Sequence, residues 1–315
     1  MDISVIIPVF NAENYLEACL NSVVRQKFTG DFEIICVNDG SVDSSGKILD
    51  QYANLQQITV IHQENAGPSA ARNAGIKKSA GEYLYFIDSD DFLTSDDALQ
   101  ILFDKILGCN ADVVMGNLSV GNENRILNRN YLNENKVYDG KEFLLLEKDY
   151  MFSVNKLYKK TLVETSGLYK VDLRTYEDCE FTPRVYYFAQ KIIYLNQPIY
   201  HYRQHELSIT HQKINLNDIF VLIFYLKDFA QIHSAKEVQS VLLNLIEILL
   251  FNNPNRLDVK KRNALLAQNR IYVEFLKIPT LKHVVFALFL MLRMPKLIEV
   301  SKVIKTNLNK VLNKS

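Results

Sequence analysis

The first 120 residues alternate short runs rich in Ile and Val with single helical stretches, and this alternation leaves few folds open to the chain. Apolar Ser4 to Val9, Phe32 to Val37, Ile58 to His62, Tyr83 to Ile87 and Asp112 to Met115 are separated by helix-patterned Tyr15 to Gln26, Ser45 to Leu55, Ser69 to Ser79 and Asp97 to Gly108. Strands that read as nearly continuous apolar runs, each followed by one helix, predict a parallel sheet covered on both faces. The expected class is α/β, a doubly wound, mostly parallel sheet with helices on both faces. Ligands of such sheets bind outside the carboxyl ends of the strands. The polar clusters fall there in turn: Asn11, then Asn38-Asp39-Gly40-Ser41, then Asn65 to Ser69, then Asp88 to Asp91.

Beyond this unit the texture changes. Asn117 to Asn135 is dense in Asn and reads as a surface excursion. A smaller mixed unit runs from about Val137 to residue 214. From 215 to 315 the pattern is helical, with long apolar-periodic stretches at Asp218 to Ile232 and Lys236 to Phe251. Between Lys277 and the end, eight Lys or Arg residues face the single acid Glu299, which makes a basic amphipathic tail that either lies on an anionic membrane surface or packs its apolar face on the helices of 218–251 or on a second subunit. The longest apolar run, Val284 to Leu292, falls far short of the roughly 20 residues needed to span a bilayer. The start MDISVIIPVF lacks a signal-peptide core, and the four scattered cysteines form no C-x-x-C pair, so a cytoplasmic location with reduced thiols is expected. Lys plus Arg equals Asp plus Glu at 36 each, so no global field argues for nucleic acid as a partner.

Several residues stand out for their chemistry. Asp88, Asp90 and Asp91 follow a buried strand within four positions, and their mutual repulsion is relieved most simply by a divalent cation such as Mn²⁺ or Mg²⁺. Asp39 serves either as a turn residue or as an acceptor for a base or ribose. Arg72 is either a solvated residue near a helix start or a contact for an anion or base. Glu177 and Asp178 are either ordinary acids at a helix start or a general base with its neighbour. In YHYRQHELSIT, from Tyr200 to Thr210, Arg203, His205 and Ser208 alternate in a way that can close over phosphate. There is no G-x-G-x-x-G after the first strand, no P-loop and no zinc spacing.

The four blocks SVIIPVFNAENYLEACLNSV, VNDGSVDSS, NAGPSAARNAG and YLYFIDSDD, in this order and spacing, resemble family 2 glycosyltransferases of the GT-A fold. The likeness continues more loosely through NKLYKK and YEDCEF to YHYRQHELSIT, and it does not reach the helices beyond 215. It implies a GT-A domain over 1–214, with 1–116 binding the nucleotide and 137–214 serving acceptor and catalysis. By the same likeness Pro8 and Val9 line the nucleotide pocket, and Asp39 and Arg72 hold uracil. Asp88 with Ser89 meets the ribose or the metal, and Asp90 is the firm metal ligand. Asp178 is the base with Glu177 in support, and Arg203, His205 and Ser208 close on the diphosphate. Asn155 and Lys156 fall on the acceptor side. The implied activity is inverting, metal-dependent transfer from a nucleotide-sugar, UDP-linked, to a surface glycan or lipid-linked acceptor at the inner face of the membrane. Two other readings are a sugar-phosphate nucleotidyltransferase, whose Gly-rich phosphate loop is missing here, and a sugar-nucleotide or glycan-binding module without turnover.

Overall fold

The computed structural model describes residues 1–121, 125–127, 129–147, 151–205 and 216–251. Four strands, β1 (Ile3–Val9), β2 (Phe32–Asp39), β3 (Ile58–Gln63) and β4 (Tyr83–Phe86), alternate with α1 (Leu16–Val24), α2 (Ser45–Tyr52) and α3 (Pro68–Lys78). They pair in parallel in the order β3-β2-β1-β4. Every residue of β1 except Pro8 is buried, and so is every residue of β4, which is why these strands show no polar alternation. The small residues of α3 bring it close to the sheet: a Cβ on Gly75 would stand 2.4 Å from Ile6 Cγ2.

The chain continues through β5 (Phe92–Leu93), α4 (Ala98–Cys109), β6 (Val113–Val120), β7 (Arg125–Ile126), β8 (Val137–Tyr138), α5 (Gly140–Leu146) and β9 (Lys156–Lys159). It then passes through α6 (Lys160–Ser166), α7 (Glu177–Phe188), β10 (Ile192–Tyr202), α8 (Leu216–Ile232) and α9 (Lys236–Phe251). The sheet extends as β4-β9-β6-β10-β5. β10 runs parallel to β6, whereas β9 is inserted antiparallel between β4 and β6. The carboxyl ends of β1, β2, β4, β6 and β10 therefore share one rim, and the amino end of β9 arrives at that same rim.

The expected surface excursion from Asn117 to Asn135 is corrected here. β6 runs on to Val120, Asn117 is 1% exposed, and Arg129 is buried beside a fully buried Glu147. Arg129 Nε donates to both Glu147 oxygens at 3.1 Å, and its Nη1 donates to Asn117 Oδ1 at 3.0 Å. An Asn-rich stretch thus hides an internal ion pair. The predicted α8 and α9 are present. A compact unit spans Met1–Val241 and a second begins at Leu242. The basic tail from 277 lies outside the described residues. No helix among the described residues is long and apolar enough to cross a membrane. All four cysteines are free.

Candidate active site

The crevice is assembled from the four loops that the strand order brings to the shared rim. Pro8, half-buried, and Val9, buried, end β1 beside Val37 and Asn38 of β2. One residue further on, Asp39 is buried and uses both carboxylate oxygens on the loop before α3. Oδ1 accepts from Gln63 Nε2 (2.7 Å) and Ala66 N (2.8 Å), and Oδ2 accepts from Gly67 N (2.8 Å). A carboxylate offers about four acceptor positions, so a base contact would add to this anchoring rather than replace it. The turn it holds needs glycine, since Gly67 has φ +92°.

Arg72 departs from its expected place on a base. Its side chain is 4% exposed and enclosed by acids: Nη2 lies 2.7 Å from Asp88 Oδ1, Nη1 lies 2.7 Å from Glu177 Oε1, and Nη1 stands 4.0 Å from Asp178 Oδ1. The Tyr169 ring packs against the guanidinium at 5.4 Å. Arg72 is therefore a hub that ties the end of β4 to the start of α7. Burial pushes the Asp88 carboxyl up to about 6, with Arg72 opposing and Asp178 and Asp90 reinforcing. Burial likewise pushes Glu177 up to about 7. Three acids share one permanent cation, and the residual negative charge favours a proton or a further cation.

The acidic loop after β4 divides its labour. Asp91, fully buried, accepts from the Tyr200 hydroxyl (2.5 Å) and from Arg203 N (2.8 Å), and burial holds it well above the usual carboxylate range. The Tyr200 hydroxyl in turn accepts from Asp88 N (3.2 Å), so the end of β10 locks the loop in place. Ser89 is buried. Asp88 and Asp90 keep side chains 33% exposed. Among the described residues no three His, Cys, Asp or Glu side chains form a ready cage for a metal ion. Two carboxylates suit the other way of holding a hard divalent cation, in which substrate phosphates and water complete the shell. Their hard-oxygen character and residual charge fit such an ion.

His205 Nε2 lies 2.9 Å from Asp90 Oδ2, and its ring stacks on Tyr15 with centroids 4.6 Å apart. Arg203 spreads over Tyr15 (4.9 Å) and Phe92 (5.3 Å). The structure thus brings Arg203 and His205 beside the acidic loop. Ser208 lies outside the described residues.

Across Arg72, Tyr176 takes a left-handed conformation (φ +64°) just before α7, a strained backbone for a bulky residue, and Glu177 and Asp178 follow at once. Asp178 accepts from Ser153 N (3.1 Å) and Ser153 Oγ (2.6 Å) and stays 19% exposed. Ser153 is a site residue that sequence reasoning missed, because a lone Ser in MFSVNK carries no signal of its own. Asn155 and Lys156, expected to meet the acceptor, are instead 1% exposed each. Asn155 Nδ2 donates to Gly116 O (2.6 Å), and Lys156 Nζ donates to Phe152 O (2.6 Å) and Val154 O (3.1 Å). Burial, aided by Arg129, lowers the Lys156 ammonium to about 7.

Comparison with known proteins bears on the fold and the family. Glycosyltransferase GlyA of Streptococcus pneumoniae is 38% identical over 224 residues, which is 66% of this chain and 31% of GlyA, so the chain spans about a third of that protein. GlyG of the same organism is 29% identical, over 77% of this chain and 82% of GlyG. TarS of Staphylococcus aureus, a poly(ribitol-phosphate) beta-N-acetylglucosaminyltransferase, is 30% identical over 64% of this chain and 35% of TarS. The crystal structure of TarS 1-349 in complex with UDP-GlcNAc superposes with a TM-score of 0.74 at 21% identity, covering 89% of this chain and 82% of that one. This likeness fixes the GT-A fold. Residues 4–167, more than half of the chain, match the model of glycosyl transferase family 2, and the chain belongs to that family.

Proposed function

We propose that the chain transfers a hexosyl or N-acetylhexosaminyl group, with inversion, from a UDP-sugar to a growing cell-surface glycan. The observation that carries this reading is the single ion-pair cluster in which Arg72 joins Asp88, on the donor side, to Glu177 and Asp178, on the acceptor side. In-line displacement needs both sides within one crevice. Asp178 takes the proton of the acceptor hydroxyl as that oxygen bonds to the anomeric carbon, and the bond to the diphosphate oxygen breaks on the opposite face. Ser153 aims the Asp178 carboxylate, and Glu177 supports it through Arg72. Asp90 and Asp88 would hold Mn²⁺ or Mg²⁺, which when bound neutralises charge on the leaving diphosphate. Arg203 adds positive charge and His205 a ring nitrogen on the same side. The complex of TarS with UDP-GlcNAc supports a UDP-sugar donor, and the poly(ribitol-phosphate) in the name of TarS supports a polymeric acceptor. The basic stretch 277–315 suits peripheral contact with an anionic membrane carrying a lipid-linked acceptor.

The test is release of UDP from a panel of UDP-sugars by the purified chain with Mn²⁺, in the parent protein, Asp178→Asn and Asp90→Asn. Asp178→Asn should lose about 10²–10⁴-fold in transfer while binding UDP almost as before. Asp90→Asn should lose the response to Mn²⁺. Undiminished turnover in either variant contradicts the role given to that residue.

A further inference from the structure

Lys156 and its neighbour on β9 hold up a short segment of chain rather than a substrate. Three successive carbonyls are tied from beneath: Phe152 O and Val154 O by Lys156 Nζ, and Ser153 O by the Tyr158 hydroxyl at 2.9 Å. Ser153, fully buried, faces Asp178 with its amide and hydroxyl. The residue before it, Phe152, has a pinned backbone and is 38% exposed. That ring lies 6.5 Å from the ring of Tyr202 and only 20° from parallel. Both belong to the crevice rim. Phe152 precedes the amino end of β9, which runs against β4 and β6, and Tyr202 closes β10, which runs with β6.

We propose that Phe152 and Tyr202 form an acceptor subsite that receives a pyranose ring, the one whose hydroxyl loses its proton to Asp178. This rests on the reading of Asp178 as the base. A pyranose presents one face of axial C–H groups, which is apolar and slightly positive. An aromatic face is negative at its centre, so the two match in shape and in sign. Ser153 sets the base beside this platform, one residue from Phe152, so a ring lying on it brings a hydroxyl to the carboxylate. An acyclic polyol phosphate has no such face and needs cations. The nearby cations among the described residues are otherwise engaged: Lys156 on carbonyls, Arg129 on Glu147, Arg72 on Asp88 and Glu177, and Arg203 over the Tyr15 and Phe92 rings. Asp178, Glu177 and Asp88 nearby repel a phosphate further. The acceptor end is a sugar ring, unlike the ribitol phosphate in the name of TarS.

The chain contains no Trp, so Phe152→Trp places the protein's one tryptophan at the platform, where long-wavelength excitation singles out its emission from that of the tyrosines. With UDP and Mn²⁺ present, the variant is titrated with methyl β-D-glucopyranoside, methyl β-D-galactopyranoside, methyl N-acetyl-β-D-glucosaminide and ribitol 5-phosphate. At least one glycoside should give a saturable change in emission with millimolar affinity, and ribitol phosphate should give none. Adding Tyr202→Ala should weaken the glycoside about three- to tenfold. No saturable response to any glycoside, or an equal or larger response to ribitol phosphate, overturns the proposal. Should Phe152→Trp fold poorly by circular dichroism, calorimetric titration of the parent protein against Phe152→Leu replaces it. A loss of about three- to tenfold in glycoside affinity supports the platform, and equal affinity overturns it. Failure of the base reading looks different: transfer persists in Asp178→Asn while the reporter still answers to the glycoside.

Discussion

Replacing Lys156 by Met keeps the length of the side chain and removes the ammonium group buried beneath residues 152–154. A fall from an ordinary 10.5 to about 7 corresponds to about 5 kcal/mol of stability withheld wherever the unfolded chain keeps its proton and the folded one resists it. The sign follows from proton counts. Between pH 7 and 10.5 the unfolded state binds more protons at this residue, so its contribution to stability rises with pH and is lost again as pH falls toward 7. From pH 7 to pH 9 the gain is about 2 kcal/mol. At pH 7 the relief of the charge is offset by the two carbonyls left without a donor, at about 1–3 kcal/mol each, so the absolute effect of Lys156→Met at that pH is small. The pH dependence is the readable quantity. Urea unfolding of both proteins at pH 7, 8 and 9 should show the parent gaining about 2 kcal/mol relative to Lys156→Met across the series. Curves that stay parallel within about 0.5 kcal/mol would refute the burial argument and return Lys156 to the list of solvated side chains.

Arg72→Met should destabilise the fold by about 3–5 kcal/mol, because three acids lose their shared cation, and the loss should be greater at pH 8 than at pH 6 as Glu177 sheds its proton through about 7. A loss below about 1 kcal/mol in urea titrations would deny Arg72 the role of hub. Ser153→Ala removes the 2.6 Å bond to Asp178 and should lower kcat about tenfold with UDP affinity unchanged; parallel loss of UDP affinity would move Ser153 to the donor site. A chain ending at Lys277 should float less with anionic liposomes than the full chain at low salt, and equal recovery of the two would remove the tail as a membrane contact.

The parallel half of the sheet was legible because its strands are buried on both faces and therefore read as unbroken Ile and Val runs. β9 was not, because KLYK puts a Lys at each end and looks like a surface segment. Its first Lys is buried against carbonyls, a fate that no local pattern announces. Asn117 and Arg129 were misplaced for the same reason: polar residues satisfied internally look like polar residues in water. The acids of the crevice stand out in the sequence by their crowding, whereas Ser153 and Tyr200 are placed by hydrogen bonds that a sequence does not display. Arg72 stood out in the sequence, but its partners sit 16 and 105 positions away, and only folding reveals them.

Because β9 runs against both its neighbours, the chain leaves the crevice rim after Val120 and rejoins the same rim at Lys156. Residues 121–155 are thus a detour with a common point of departure and return. Among the described residues the detour makes no strand pairing with β1 to β4; its own strands β7 and β8 pair with β6 and β10, and Arg129 ties it to Asn117. What it delivers on its return is Phe152 and Ser153. On the proposed reading the two substrates are served by different kinds of chain: the residues assigned to the nucleotide sit at the ends of strands within the sheet, while Phe152 and Ser153, assigned to the second substrate, come at the end of an excursion from it.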